Sequence, residues 1–310
     1  MKIYEGLDDF HPVNNPVVTI GTFDGVHLGH QKILSRIRKI ADEINGETIL
    51  ITFWPHPRLV LYPQEHNIRL LTSFEEKCEM LEQFGIDHLI SIPFTKEFSK
   101  MRSHDFIHEI LIKKLNTRKL VIGYDHRFGR GREGGFDHLQ SNQDKYGFDL
   151  EEIPRQDIED VGISSTKIRK ALETGDIKTA NSFLGREYLI EGTIIKGQQI
   201  GRSMGFPTAN ISIPNEYKLI PRDGAYIVDV ELDGRIWNGM LNIGNRPTVS
   251  GETKTVEVHL FDFEDNLYGK HLKVYFKEFL RPEKKFGNLE ELKAQLEKDK
   301  FTAKSFFKNH

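Results

Sequence analysis

The apolar residues of this chain follow two rhythms, and the change between them divides it. In the first half, β-branched runs alternate with helical stripes. Val17–Ile20 (VVTI) is the kind of apolar run that forms a buried strand. Ile33, Leu34, Ile37, Ile40, Ala41 and Ile44 then share one helical stripe. Thr48–Phe53 (TILITF) is the next strand, so residues 17–53 make a βαβ unit with parallel strands and a right-handed crossover. Ser73-Phe74-Glu75-Glu76 is a capping box ahead of a helix sided by Phe74, Cys78, Leu81 and Phe84. His88–Phe94, Lys119–Tyr124 and Asp149–Ile153 read as strands, and Asp105–Leu115 as a helix with Phe106, Ile107, Ile110, Leu111 and Leu115 inward. Ser164 or Ser165 is an N-cap for a helix sided by Ile168 and Leu172. Asp176–Leu184 is one more short helix, closed by Gly185.

After Gly185 the helical period disappears. Tyr188–Ile195, Ala225–Leu232, Ile236–Ile243, Thr255–Phe261 and Leu272–Leu280 are strand-like. Asp223-Gly224 and Asp233-Gly234 are turn signals, the second flanked by strands as a hairpin. Closely spaced short strands predict a small antiparallel barrel. Asn288-Leu289-Glu290-Glu291 caps a final helix with Leu289, Leu292, Leu296 and Phe301 as its apolar side. The expected fold is an α/β domain with a Rossmann-like sheet, followed by a β-barrel domain with a C-terminal helix.

Composition narrows the function classes. A length of 310 residues fits about two domains, and 38% hydrophobic with 29% charged residues is ordinary for a chain with real cores. A net charge of −3 argues against a general nucleic-acid binder. The one cysteine excludes an intramolecular disulfide framework and fits a reducing compartment. Cys78 lies in a helical pattern and reads as a small core residue rather than a nucleophile. Met1-Lys2-Ile3-Tyr4 opens no apolar signal core, and no run is long enough to span a bilayer. The expectation is a cytoplasmic protein with small-molecule substrates, no nucleic acid and no membrane; oligomeric state is not legible.

Candidate chemistry gathers where strands end. Gly21, Gly25 and Gly29 separate the first buried strand from its helix, with His27 and His30 three residues apart on one helical face. A helix N-terminus with free N–H groups suits a phosphate, and glycines let backbone approach it. A zinc site would need further ligands, and the Glu of H-E-x-x-H is absent. Phe53-Trp54-Pro55-His56-Pro57 ends the next strand in a rigid proline turn, at the edge where open α/β sheets bind ligands. Asp125–Gly135 mixes arginines with glycines: a solvated basic loop, or one that closes over a phosphate. Ser164, Ser165 and Thr166 with Lys167 and Arg169 make either an ordinary capped helix or a second anion site. In the second half, Gly201–Asn210 is a glycine-flanked loop containing Gly205, Thr208 and Asn210, and Asn242–Thr248 is a polar loop. Glu257 and His259 share one face of a strand, a solvent face by default or a ligand mouth in a barrel.

GTFDGVHLGHQ, FWPHP, GYDHRFG and ISSTKIRKAL occur in the order of the FMN adenylyltransferase module of the nucleotidyltransferase superfamily, which residues 1–183 resemble. GRSMGFPTAN, DGAY, NIGNRPT, VEVHLFDFEDNLYG and LRPEKKFGNLEEL resemble the riboflavin kinase module over residues 184–310. The whole chain resembles the bacterial bifunctional riboflavin kinase/FAD synthetase family. That resemblance implies phosphorylation of riboflavin by ATP to FMN, then adenylylation of FMN by a second ATP to FAD and pyrophosphate. It implies that Thr208 and Asn210 lie at the ATP phosphates and Mg²⁺, and that Glu257 is the base. It implies that His27 and His30 contact the α- and β-phosphates, and that Ser164, Ser165, Thr166 and Arg169 contact the β- and γ-phosphates. Gly21, Phe23 and Asp24 match the family's adenine and ribose loop; His56, Asp125 and Phe128 stand at nucleotide- or flavin-binding positions. His126 departs from the family's usual aromatic residue there, while Phe128 remains. A flavin carrier without turnover, or a relic in one half, would leave the histidine pair or Thr208, Asn210 and Glu257 unexplained.

Overall fold

A computed structural model of the chain describes residues 1–64, 68–124, 126–154, 162–196, 205–248, 251–265 and 267–309. It divides into two compact units, Met1–Ser165 and Thr166–His310.

The first unit is built on a six-stranded parallel sheet: β1 (Lys2–Glu5), β2 (Val17–Ile20), β3 (Thr48–Trp54), β4 (His88–Pro93), β5 (Lys119–Gly123) and β6 (Asp149–Ile153). The order is β1-β4-β3-β2-β5-β6. From β2 the chain first winds outward through β3 and β4, then returns to place β5 on the other side of β2. The winding direction therefore reverses at the carboxyl end of β2, where open α/β sheets leave a ligand crevice. Every residue of β2 is buried, as its β-branched run predicts. Behind it runs α1 (Leu28–Glu43), whose stripe of Ile33, Leu34, Ile37, Ile40 and Ala41 faces the sheet.

The proline turn enters a short α2 (Pro57–Leu61), and α3 (Phe74–Gln83) opens with the predicted reciprocal capping box between Ser73 and Glu76. The predicted helix at Asp105–Leu115 is present as α4 (Phe106–Lys114), but its turns are wide: Leu115 N–H bonds the carbonyl of Ile110, five residues back. Wide turns suit inward residues four to five apart, and Phe106, Ile110, Leu111 and Leu115 are all buried. Strand β1 escaped the sequence reading. It is a short edge strand with Ile3 half exposed, so it lacks the apolar run of its neighbours.

In the second unit, α5 (Ser165–Thr174) and α6 (Ile177–Leu184) precede a closed barrel of β7 (Tyr188–Ile195), β8 (Ala209–Ser212), β9 (Gly224–Leu232), β10 (Arg235–Thr248), β11 (Gly251–Leu260) and β12 (His271–Pro282). Asn181 on α6 bonds the Phe276 carbonyl and the Tyr188 N–H, and Arg222 N–H bonds the Leu172 carbonyl. Both helices thus pack with the barrel, and the compact units part at residues 165/166 although the sequence resemblance changes modules at 183/184. Inside the barrel Tyr188, Ile190, Tyr226, Val228, Val258, Val274 and Phe276 are buried, as alternation dictates. Asp233-Gly234 makes the expected hairpin between β9 and β10. Strand β8 was not separable by sequence; it is short and embedded in the motif loop.

The final helix α7 (Leu289–Asn309) is capped by Asn288, whose Oδ1 accepts from Glu291 N–H at 2.8 Å. Its inner face differs from the prediction. Leu296, Ala303, Phe306 and Phe307 pack with Phe206, Met240 and Phe261, whereas Leu289 is 59% and Phe301 75% exposed. The true stripe passes through Asp299, which is buried because Arg281 grips its carboxylate from Nε (3.0 Å) and Nη2 (2.8 Å) and Gln295 Nε2 donates at 2.8 Å. A charged residue on the inward stripe is invisible to a reading based on apolar spacing. Asp299→Ala should cost about 2 kcal/mol by removing the carboxylate that the half-buried Arg281 guanidinium grips in two places, while Leu289→Ala and Phe301→Ala should stay within about 0.5 kcal/mol; urea denaturation of the three variants measures the difference.

Candidate functional site

Between β2 and α1 the chain turns through residues 21–27 with three positive φ angles: Phe23 (48°), Gly25 (85°) and Val26 (37°). For a β-branched valine this conformation is strained and survives only when surroundings over-determine it. Asp24 does so. It is buried, and its Oδ1 accepts from Leu71 N–H (2.9 Å), Thr72 N–H (3.2 Å) and Thr72 Oγ1 (3.4 Å). Gly25 N–H donates to Thr72 Oγ1 at 3.2 Å, and a side chain at Gly25 would strike Leu71 Cδ1. Ser165 Oγ donates to the Asp24 carbonyl at 2.9 Å.

The turn delivers His27 and His30 together, with ring centroids 3.7 Å apart and planes 16° from parallel. His27 is the N-cap of α1: its Nδ1 accepts from His30 N–H at 3.3 Å. A ring nitrogen that accepts carries no proton, so the hydrogen of His27 sits on Nε2. Phe23 packs against the His30 ring, tilted by 49° with centroids 4.9 Å apart. Burial, then His27 and Lys77, hold the His30 pKa well below the ordinary histidine range. His30 Nδ1 is buried with no hydrogen-bond partner among the described residues. No acidic side chain occupies the first turn of α1, so its positive dipole end is uncompensated. The result is a strand-to-helix turn presenting neutral N–H donors and an unneutralised helix terminus, which suits an oxyanion.

Other predicted positions divide. The Phe23 ring lies against Gly21, leaving no space for a side chain there. Asp24 has one carboxylate oxygen engaged in holding the turn. His56 caps α2, its Nδ1 accepting from Arg58 N–H at 3.2 Å. Phe128 is a core residue packed on Phe106 at 5.5 Å and stacked with His126 at 5.8 Å. Ser164 and Ser165 are half-buried at the start of α5; Thr166 is exposed and Arg169 half-buried further along it, in the second compact unit. Asp125 and Gly201–Met204 lie outside the described residues. Lys77 was missed. Its signal was its place beside Cys78 on the stripe of α3 that turns inward, against the usual habit of lysine.

In the barrel, Glu257 on β11 stands directly opposite Asn210 on β8, and Thr208 Oγ1 donates to Glu257 Oε2 at 3.1 Å. Cross-strand partners point to one side of a sheet, so hydroxyl, amide and carboxylate face the same space. Gly205, with φ of 82°, is exposed at the start of this segment. His259, two residues along, is buried rather than solvated; its Nδ1–H donates to the Pro207 carbonyl at 2.8 Å and fixes the backbone before Thr208. Among the described residues no group of three or more His, Cys, Asp or Glu side chains is placed to hold a metal ion.

A strand-to-helix turn bearing paired histidines on a parallel sheet, then a closed barrel with a clustered hydroxyl, amide and carboxylate, suit a two-part transferase acting on phosphate groups. The family model described as FAD synthetase matches residues 11–167, and that described as riboflavin kinase matches residues 184–307. A bifunctional riboflavin kinase/FMN adenylyltransferase of Haemophilus influenzae is 39% identical over 99% of both chains. The Bacillus subtilis protein of the same name is 38% identical over 94% of this chain and 93% of its own. A solved structure named as a macrolide-efflux protein from Streptococcus pneumoniae has a TM-score of 0.89 and 29% identity over 98% of both chains; no helix among the described residues here is long and apolar enough to cross a membrane. The chain belongs to the bifunctional riboflavin kinase/FMN adenylyltransferase family, the enzymes of flavin-cofactor biosynthesis.

The capping and chemical roles of His27 separate by substitution. His27→Asn should keep the α1 cap and stay within about 0.5 kcal/mol of wild type, while His27→Ala should lose about 1 kcal/mol. Both should lower FAD formation at least about tenfold, measured beside thermal unfolding.

Proposed function

We propose that the two reactions divide between the two sites: residues 184–310 phosphorylate riboflavin, and residues 1–183 adenylylate the FMN that results. The stacked His27–His30 pair at an uncompensated helix terminus carries this reading. In the first unit an oxygen of the FMN phosphate attacks the α-phosphorus of ATP. The bond from that phosphorus to the bridging oxygen breaks, and pyrophosphate leaves. FMN's phosphate is already a competent nucleophile, so no protein nucleophile is needed. The obstacle is charge repulsion, which His27 Nε2–H and a ring N–H of neutral His30 relieve at the α- and β-phosphates. Neutral imidazoles donate without a counter-charge that would have to be displaced. Ser165 donates its O–H to the Asp24 carbonyl and so holds the start of α5 beside the turn, where the first backbone N–H groups of that helix extend the donor set.

In the barrel Glu257 takes the proton of riboflavin's terminal ribityl hydroxyl as that oxygen bonds the γ-phosphorus, and ADP leaves. Thr208 and Asn210 are hard oxygen donors beside Glu257 and fit Mg²⁺, which keeps most of its waters. When bound, Mg²⁺ supplies charge neutralisation at the ATP phosphates. A buried thiol at Cys78 and absence of a strong basic balance accord with a reducing cytoplasmic setting and no nucleic-acid partner.

Separate assays of riboflavin-to-FMN and FMN-to-FAD conversion test the division. Glu257→Gln should lower the first at least about 100-fold and spare the second. His30→Ala should lower the second about 100-fold and spare the first. Loss of both activities in either variant would refute separate sites, and a wild-type rate of FAD formation in His30→Ala would refute the phosphate role.

A further inference from the structure

Lys77 is 4% exposed, and lysine is almost never so buried without a partner of opposite charge. Among the described residues no carboxylate oxygen lies within ion-pair distance of its ammonium. Nζ donates instead to the Thr22 carbonyl (3.3 Å) and Thr52 Oγ1 (3.2 Å), and lies 5.5 Å from the Trp54 ring and 5.6 Å from the Phe74 ring. Thr22 belongs to the β2–α1 turn, Thr52 and Trp54 to the carboxyl end of β3, and Phe74 to α3. One ammonium therefore ties the histidine-bearing turn to its neighbouring strand at the sheet's reversal point. Packing alone does not call for a charge there, because a methionine would fill similar space without desolvating an ion.

The charged and titratable groups acting on this site are few. Asp24, in the turn, favours the charged form of Lys77, but its Oδ1 is engaged with Leu71 and Thr72. Cys78 lies beside Lys77 on α3, and its thiol is pushed up to about 11 by burial, so it stays neutral. His30, on α1, is neutral, partly because Lys77 is charged; His27 lies against it. The Asp24 carboxylate acts on the ammonium from beyond ion-pair distance, and a bound polyanion would add to it.

We propose that Lys77 is a positioning residue for adenylyl transfer, whose buried ammonium holds the Thr22 carbonyl and hence the His27–His30 turn, and sets positive charge behind that turn for the ATP phosphates. This rests on the reading of the turn as phosphate-binding. Desolvation lowers the Lys77 pKa to about 8. Below that value the ammonium is charged; above it the free enzyme loses the proton, so kcat/KM for ATP in FAD formation should fall as pH rises through about 8. Bound polyphosphate favours the charged form and should draw the proton back.

The experiment follows kcat/KM for ATP in FMN-to-FAD conversion across pH, with riboflavin phosphorylation by the same protein as the folding control for the other unit. Lys77→Met should lower kcat/KM at least about tenfold at neutral pH and abolish the alkaline fall. Lys77→Arg, charged throughout, should also lack the alkaline fall but at a higher level than Lys77→Met. A Lys77→Met enzyme with the wild-type level, or with the wild-type alkaline fall, overturns the proposal. Should both variants misfold locally, the wild-type protein decides: ATP binding at about pH 8.5 should take up protons, measured by calorimetry in buffers of different ionisation enthalpy, and no uptake overturns it. His30→Ala separates the two ideas. If His30→Ala lowers kcat/KM and Lys77→Met does not, only the lysine role fails; if His30→Ala changes nothing, the phosphate reading itself fails.

Discussion

The first unit depends on one carboxylate oxygen. Asp24 Oδ1 accepts from the backbone of Leu71 and Thr72, and so pins a turn in which Phe23 and Val26 adopt a conformation their side chains disfavour. Without that anchor the strand could not pass so abruptly into α1, and His27 could not cap the helix while lying flat against His30. The stacking then has an electrostatic consequence. Two imidazoles 3.7 Å apart cannot both be charged, and burial beside Lys77 keeps His30 neutral. The turn therefore presents neutral imidazoles at a helix terminus, and the fixed positive charge close by is the Lys77 ammonium.

The barrel solves a different problem by register. Its alternating strands place Tyr188, Tyr226 and Phe276 inside and leave a polar side elsewhere, and pairing of β8 with β11 sets Asn210 opposite Glu257. His259 shows how closely structure and chemistry are coupled there. Its bond to the Pro207 carbonyl fixes the segment that carries Thr208, which in turn donates to Glu257. The setting of the Glu257 carboxylate thus depends on His259, two residues along the same strand and buried against the Pro207 carbonyl.

Much of this was legible from the chain alone, where local chemistry suffices. The β-branched run of β2, the stripe of α1, the reciprocal Ser73–Glu76 cap and the Asp233-Gly234 hairpin are all short-range patterns, and each stands where the pattern puts it. The histidine pair was legible because three-residue spacing at a helix start leaves little choice of direction. Edge strand β1 and short β8 were not, since each is held mainly by backbone bonds to a partner distant in sequence. The inner face of α7 misled because its central residue is an aspartate.

Sequence by itself determined most of the order of elements, with β1 and β8 the missing strands, the succession of sheet and barrel, and the residue types available at each strand end, because these follow from backbone period and side-chain polarity over a few neighbours. Tertiary structure alone decided which polar groups lose water: Asp299 beneath Arg281, Asp24 against the 71–72 backbone, Lys77 over the packed pair of Trp54 and Phe74 rings. Burial of a charge is settled by groups that arrive from elsewhere in the chain, and no local pattern records who they will be.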